Sequence, residues 1–273
     1  MPYPTLDAPY GYKPINLIGG QVFSGSTREY PIAYNYGTSI FFGDPVVLTS
    51  GFINIATVPI NTTNTTVGIF LGCSYTDPVT KQKRFSQFYP ASTLAGDIRA
   101  IVCDDPDTVF RIAVVTAAGV QTIGSMSQLM VGVNAAGSTT TGNAATGNST
   151  LAVVGATGTT ANAGFRILQL VPDTQVSTSC TYSSGSGSSS IVVSGLTIGQ
   201  VIPVGTDMYQ LVPATGQLQW VGAVNSSATV SSTTAQTLTM SATTTVAGPS
   251  LALVQSPEVL AKINFNVHRY YIA

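Results

Sequence analysis

The sequence predicts an all-β protein, a small β-barrel or β-sandwich core with an extended N-terminal arm and an inserted Ser/Thr-rich β module. Three observations carry this. No stretch of a dozen residues repeats its apolar positions at helical spacing between caps. Short β-branched and aromatic runs recur, punctuated by Gly, Pro, Ser and Asp turns. Only 8% of the 273 residues are charged while 44% are apolar, against roughly 25% charged in an average soluble domain. That apolar share is enough to build a core.

Taken in order, residues 1–25 hold Pro2, Pro4, Pro9 and Pro14 among Tyr3, Tyr10 and Tyr12. Prolines at this density block helix formation and leave less chain entropy to lose, so the segment reads as an extended arm. Strand candidates follow at 39–48, around a Gly43-Asp44-Pro45 turn, then at 66–75, 83–89, 98–103 and 109–115. Residues 76–83 read as a hairpin connection. Later candidates lie at 150–154, 165–171, 190–194, 208–212, 217–221, 237–240 and 259–265. Residues 135–147 are low in complexity and read as a flexible loop, and the Ser/Gly run at 183–190 reads as a linker.

Residues 175–255 are the most Ser/Thr-rich of the chain and still carry apolar strand patterns. They are expected to form an inserted β module within a core made of 26–174 plus 256–273. An insertion with close ends costs its host little, because loop entropy grows only logarithmically with length.

The charge pattern narrows the function. Ten Lys and Arg against eleven Asp and Glu give a net charge of −1, which leaves little for a nucleic-acid-binding patch. Gly, Ser, Thr or Asn interrupts every apolar run short of the ~20 residues of a membrane-spanning helix. The first residues lack the basic start and apolar stretch of a signal peptide, so the chain is expected to begin near Met1 and to be made inside a cell. Between Ile112 and Pro257 the only charges are Arg166, Asp173 and Asp207. A surface solvated by Ser, Thr, Asn and Gln suits a chain that packs against neighbours.

Candidate chemistry is sparse. Cys73, Cys103 and Cys180 form no metal-ligand or redox spacing and read as small semi-buried hydrophobes, with one disulfide as the alternative. His268 is the sole histidine, and no Gly-x-Ser-x-Gly elbow accompanies it, so it reads as a partly exposed residue of the terminal strand. Asp104-Asp105-Pro106-Asp107 offers three carboxylates to a Ca²⁺ ion but lacks the pattern of a calcium loop, so it reads as a turn. Asn61, Asn64, Asn148 and Asn225 begin glycosylation sequons, read as products of a Ser/Thr-rich composition. Tyr3, Tyr10, Tyr12, Tyr270 and Tyr271 are core residues or interface anchors. Lys81, Lys83 and Arg84 form the basic run, either a solvated hairpin tip or a contact with an acidic partner. The expectation is no enzyme, no cofactor and no metal.

Several motifs also resemble a known family. They are Tyr12-Lys-Pro-Ile, Arg28-Glu-Tyr-Pro-Ile, Thr38-Ser-Ile-Phe-Phe-Gly-Asp-Pro-Val-Val-Leu and Val67-Gly-Ile-Phe-Leu-Gly-Cys-Ser-Tyr, then Ile98-Arg-Ala-Ile-Val-Cys-Asp-Asp-Pro-Asp and the terminal Val259-Leu-Ala-Lys-Ile-Asn-Phe-Asn-Val-His. Over residues 10–171 and the last 16 residues the chain is similar to capsid decoration, or cement, proteins of tailed marine and environmental phages. The resemblance implies a virion protein made in the host cytoplasm. It would bind the outside of an icosahedral head as a trimer and bridge major capsid subunits, without cofactor, nucleic acid or membrane. Tyr3, Tyr10, Tyr12, Lys81, Lys83 and Arg84 are the expected capsid or subunit contacts. The alternative is a head or tail fibre, or an adhesin, whose exposed module stacks host glycans on Tyr209 and Trp220.

Overall fold

A computed structural model describes residues 6, 8–57, 60, 65–138, 140–155, 163–212, 215–246, 248–264 and 267–269. The regular structure of the described residues is strand, apart from short 3₁₀ turns. The strands are β1 (Lys13–Leu17), β2 (Arg28–Pro31), β3 (Pro45–Thr49), β4 (Phe52–Ile55), β5 (Gly68–Thr76), β6 (Lys83–Ser86), β7 (Arg99–Cys103), β8 (Thr108–Val115), β9 (Asn134–Ala135), β10 (Gly137–Ser138), β11 (Ala152–Val154) and β12 (Phe165–Leu170). Then come β13 (Val176–Ser184), β14 (Ser188–Ser194), β15 (Val201–Ile202), β16 (Asp207–Val212), β17 (Gln217–Ala223), β18 (Ala228–Thr229), β19 (Gln236–Thr244), β20 (Ser250–Gln255) and β21 (Glu258–Ile263). Gln128–Met130 and Pro172–Thr174 form single 3₁₀ turns. Among the described residues no helix is long and apolar enough to cross a membrane.

The first sheet runs β10-β11-β8-β21-β12-β9. Its two end strands are continuous in the chain, because Ala136 alone separates β9 from β10. One bent strand therefore pairs with β12 through Asn134 and Ala135 and with β11 through Gly137 and Ser138. The sheet closes into a small barrel. The period-2 alternation of its strands decides what fills it. Phe110, Ile112 and Val114 of β8, Phe165 and Ile167 of β12, and Val259, Ala261 and Ile263 of β21 point inward. Ala113, Val115, Ala152 and Val154 point outward and are covered by Leu6, Tyr10 and Ile123.

The second sheet, β2-β7-β5-β3-β4 with β6 beside β5, curls over its own core of Ile32, Ile40, Val46, Ile53, Phe70, Tyr89 and Val102. A bulge between Phe70 and Gly72 re-aims β5. Ile69 and Cys103 on its opposite face pack into the first barrel's cluster, so the two sheets share a wall.

The strands from Val176 to Gln255 pair only with one another among the described residues, in the order β17-β16-β20-β13-β14-β19. The ends of this sheet meet at an antiparallel Val224–Met240 bridge, with the Asn225 amide donating to the Thr239 carbonyl at 2.8 Å. This closes a second, antiparallel barrel around Ile191, Val193, Met208, Leu238, Met240, Leu251 and Leu253. Its entry and exit strands are neighbours, Val176 opposite Gln255. The β12–β21 ladder of the first barrel thus continues, across the Pro172–Thr174 turn and Ser256-Pro257, as the β13–β20 ladder of the second.

Several expectations need correction. Residues 10–17 of the expected N-terminal arm, 1–25, are part of the first barrel, because β1 supplies the partner for residues 108–111 of β8 while β11 takes residues 114 and 115. Gly11 and Gly43 sit where this segment crosses the 41–45 turn. Both have positive φ, 83° and 89°, and a Cβ on Gly43 would lie 2.7 Å from the Tyr12 amide nitrogen. The Ser/Gly run at 183–190 is the end of a β13–β14 hairpin, not a linker. Residues 39–42 make only isolated bridges, Ile40 with Tyr89 and Phe42 with Asn148, and the ladder starts at Pro45. The low-complexity 135–147 stretch contributes the strand that closes the first barrel.

The paired entry and exit strands give a clean excision point. Replacing residues 176–255 by a short Gly/Ser linker is expected to leave a soluble β protein with one cooperative melt. A variant that unfolds or aggregates, read by circular dichroism and sedimentation, would mean that the first barrel cannot stand without the second.

Candidate functional site

The structure redistributes the expected contact residues. Tyr3, Tyr270, Tyr271, Asn61 and Asn64 lie outside the described residues. Tyr12, expected at a partner surface, is fully buried inside the first barrel, its ring centroid 4.4 Å from Phe165 and 6.0 Å from Phe110. β1 and the glycine crossing carry it inward, so it has no face left for a partner. Tyr10 is half-buried and donates its hydroxyl to Glu258. Glu258 also accepts from Arg111, Nε at 3.0 Å, and Lys13 Nζ lies 4.1 Å over the Tyr10 ring. Burial works against the charge on Glu258, but the hydrogen bonds from Arg111 and Tyr10 outweigh it and hold its pKa below the ordinary carboxylate value. Tyr10 is therefore a clasp between the N-terminal segment and β21.

The basic run lies on the β5–β6 hairpin. Lys81 takes a left-handed backbone, φ 57°, in the turn. Asp77 accepts the Val79 and Thr80 amides and pairs with Arg84 at 3.5 Å. Lys83 pairs with Asp97 at 3.3 Å. Hydrogen bonds from the backbone and hydroxyl of Thr76 pull Asp97 down to about 2, with Lys83 adding to the effect. These exposed pairs contribute little stability. Val79 and Phe85, 86% and 76% exposed, stand on the same hairpin, giving it an apolar surface among matched charges.

Tyr209 and Trp220 are cross-strand partners on β16 and β17, followed by Leu211 opposite Leu218. A groove of about 500 Å³ runs along this outer face, lined by Leu211 and Leu218 and floored by Ser179, Thr181, Ser250 and Ala252. No charged side chain lines it. Trp220 is half-buried, and its indole N–H donates to Asp207 at 2.8 Å.

The remaining chemistry-bearing side chains are also internal. His268, expected to be partly exposed, is fully buried, since the 267–269 segment bridges Thr66. Burial lowers its pKa, partly opposed by Asp104 and Asp105. Asp105 caps the turn into β8 by accepting the Asp107 amide at 2.9 Å, and Asp104 accepts from Tyr30 at 2.7 Å and pairs with Arg28 at 3.3 Å. Burial raises the thiols of Cys73 and Cys180 to about 12 and that of Cys103 to about 11, so all three are protonated and weakly nucleophilic. Among the described residues no group of His, Cys, Asp and Glu is arranged to hold a metal ion.

Sequence reasoning missed the buried carboxylates. Asp44 accepts the Phe41 amide at 2.8 Å and the Ser149 hydroxyl. Asp207 joins the two barrels. Each stands alone among apolar and small residues, Gly-Asp-Pro in one case and Thr-Asp-Met in the other. A solitary acid in a strand-forming run is the available signal. No family model, curated protein or solved structure matches this chain.

Two outcomes follow from these internal groups. Among the described residues the Tyr12 hydroxyl has no hydrogen-bond partner, and an unsatisfied buried hydroxyl costs about 1–3 kcal/mol. Tyr12→Phe is expected to leave stability unchanged or raise it in urea unfolding; a clear loss would show that the hydroxyl is bonded.

For Asp44, burial raises the pKa to about 6, against 3.8 in the unfolded chain. Between these values the native state holds more protons, so this group's stabilising share is complete below 3.8 and is lost as pH rises through 6. Asp44→Asn should remove that dependence, up to about 3 kcal/mol of difference between pH 4 and 7. Parallel stability curves for the two proteins over this range would contradict it.

Proposed function

We propose that this chain is a structural virion protein that decorates and stabilises the outside of a phage icosahedral head by bridging major capsid subunits, as a homotrimer on the particle. The reading assigns no reaction and no cofactor. One observation carries it: the second barrel holds a single charged residue, Asp207, and that residue is buried. Its outer surface is hydroxyl, amide and apolar. Such a surface can be covered by a neighbour without the cost of dehydrating ions.

The internal roles of Tyr10 and Tyr12 move the expected head contact to the β5–β6 hairpin. There Val79 and Phe85 offer apolar area beside Lys81, Lys83 and Arg84. A protein that binds only the assembled shell stabilises it by mass action.

The test is to mix the purified full chain with undecorated heads of the phage that encodes it. Saturable co-sedimentation and trimeric density on the outer shell are expected, with occupancy lowered by Val79→Ser combined with Phe85→Ser. Density on the tail or fibres alone, or no binding to heads, would overturn the reading.

A further inference from the structure

The two barrels meet at a buried seam of hydrogen bonds. Asp207, 1% exposed, opens β16 of the second barrel. Its Oδ1 accepts the Ser127 hydroxyl at 2.7 Å and its Oδ2 the Gln128 amide at 2.7 Å, both from the loop of the first barrel that leads into Gln128–Met130. Its Oδ1 also accepts the Trp220 indole N–H from β17, at 2.8 Å. Around it, the Ser125 hydroxyl donates to the Gly205 carbonyl at 3.1 Å and accepts the Ser256 amide at 2.9 Å. The Met126 amide donates to the Ser256 carbonyl at 3.0 Å. Ser125, Ser127, Thr206 and Ser256 are all buried. Gly205, φ 81°, lets the two backbones touch, since a Cβ there would fall 2.4 Å from the Ser125 carbonyl oxygen.

We propose that Asp207 is a latch that fixes the second barrel at one angle on the first, so that the chain acts as a single rigid two-barrel unit. Apart from this seam, in which Asp207 makes the bonds to the Ser127 hydroxyl and the Gln128 amide, the barrels are joined by a two-strand ribbon interrupted on both sides, by the Pro172–Thr174 turn and by Ser256-Pro257. Strand pairing thins at that interruption: the β12–β21 ladder ends at Leu170 opposite Val259, one further bond runs from the Val171 amide to the Glu258 carbonyl at 3.1 Å, and the β13–β20 ladder begins at Val176 opposite Gln255. Such a joint bends unless something else holds it. The carboxylate does so because it offers enough lone pairs for one donor from its own barrel and two from the other. Burial disfavours its charge and raises its pKa, against the pull of the Trp220, Ser127 and Gln128 donors. A neutral amide that keeps an acceptor oxygen therefore preserves much of the latch, whereas a methyl group abolishes it.

The chain has one tryptophan, and its indole N–H is in the latch, so its fluorescence reports on this seam alone. Asp207→Ala is expected to red-shift Trp220 emission and to raise its quenching by acrylamide roughly two-fold or more as the seam opens locally. Small-angle scattering should then show a broader distribution of interatomic distances, with circular dichroism unchanged. Asp207→Asn should restore both readouts most of the way. Gly205→Ala and Ser127→Ala attack the seam from either side without touching Asp207. They decide the matter if Asp207→Ala does not fold, and both should move emission and scattering the same way. Unchanged quenching and scattering in the folded variants, or equal losses for Asp207→Asn and Asp207→Ala, would overturn the proposal.

Discussion

A chain made almost wholly of strands must dispose of its strand edges, and here it must do so with very little charge. Edges are ordinarily blunted by lysines and other charged side chains. In this molecule the end strands of two of the three large sheets meet. The bend at Ala136 joins the ends of the first barrel, and the Val224–Met240 bridge joins those of the second. The one sheet that stays open carries charge on two of its edge strands, Arg28 and Glu29 on β2 and Lys83 and Arg84 on β6, while its end strand β4 carries none.

Closure also explains how a long uncharged segment enters the fold without disturbing it. The second barrel grows from the β12–β21 ladder, so its ends are already neighbours and the first barrel loses no pairing to accommodate it. The cost falls on the junction, where the ladder is broken over residues 172–175 on one strand and Ser256-Pro257 on the other. The seam of Ser125, Ser127, Asp207 and Ser256 supplies buried hydrogen bonds at that point.

The fold class was readable because β5, β7, β8, β12 and β21 are short runs rich in β-branched and aromatic residues, bounded by turn residues. β13 was not, since Val-Ser-Thr-Ser-Cys-Thr-Tyr-Ser-Ser offers little more than Val176, Cys180 and the half-buried Tyr182 to the interior. Its pairing comes from backbone contacts with β14 and β20, which composition does not encode. The N-terminal segment misled for a related reason. Prolines do indicate an extended chain, but whether that chain hangs free or joins a sheet depends on an unpaired stretch of β8 almost a hundred residues on. Tyr10 and Tyr12 have the same side chain and two very different places. Only the crossing at Gly11 and Gly43 decides between them. The basic run was placed correctly on a hairpin, and its pairing with Asp77 and Asp97 was hidden because the partners lie on neighbouring segments.

The acidic residues complete the picture. Asp44, Asp104, Asp207 and Glu258 are all nearly inaccessible, and each ties together segments far apart in the sequence: residue 44 to 149, 104 to 28 and 30, 207 to 127, and 258 to 10 and 111. A buried carboxylate is an expensive group that becomes useful when several donors converge on it, because removing any one donor leaves an acceptor unsatisfied. Each of these four therefore specifies a particular meeting of distant segments more sharply than an apolar contact does. With those acids directed inward, and the exposed bases of the β5–β6 hairpin matched by nearby aspartates, the outer surface is left close to neutral. A neutral, hydroxyl-rich exterior on an internally stapled body can be covered by identical or different neighbours with little dehydration cost, which is the physical property the proposed role on a shell requires.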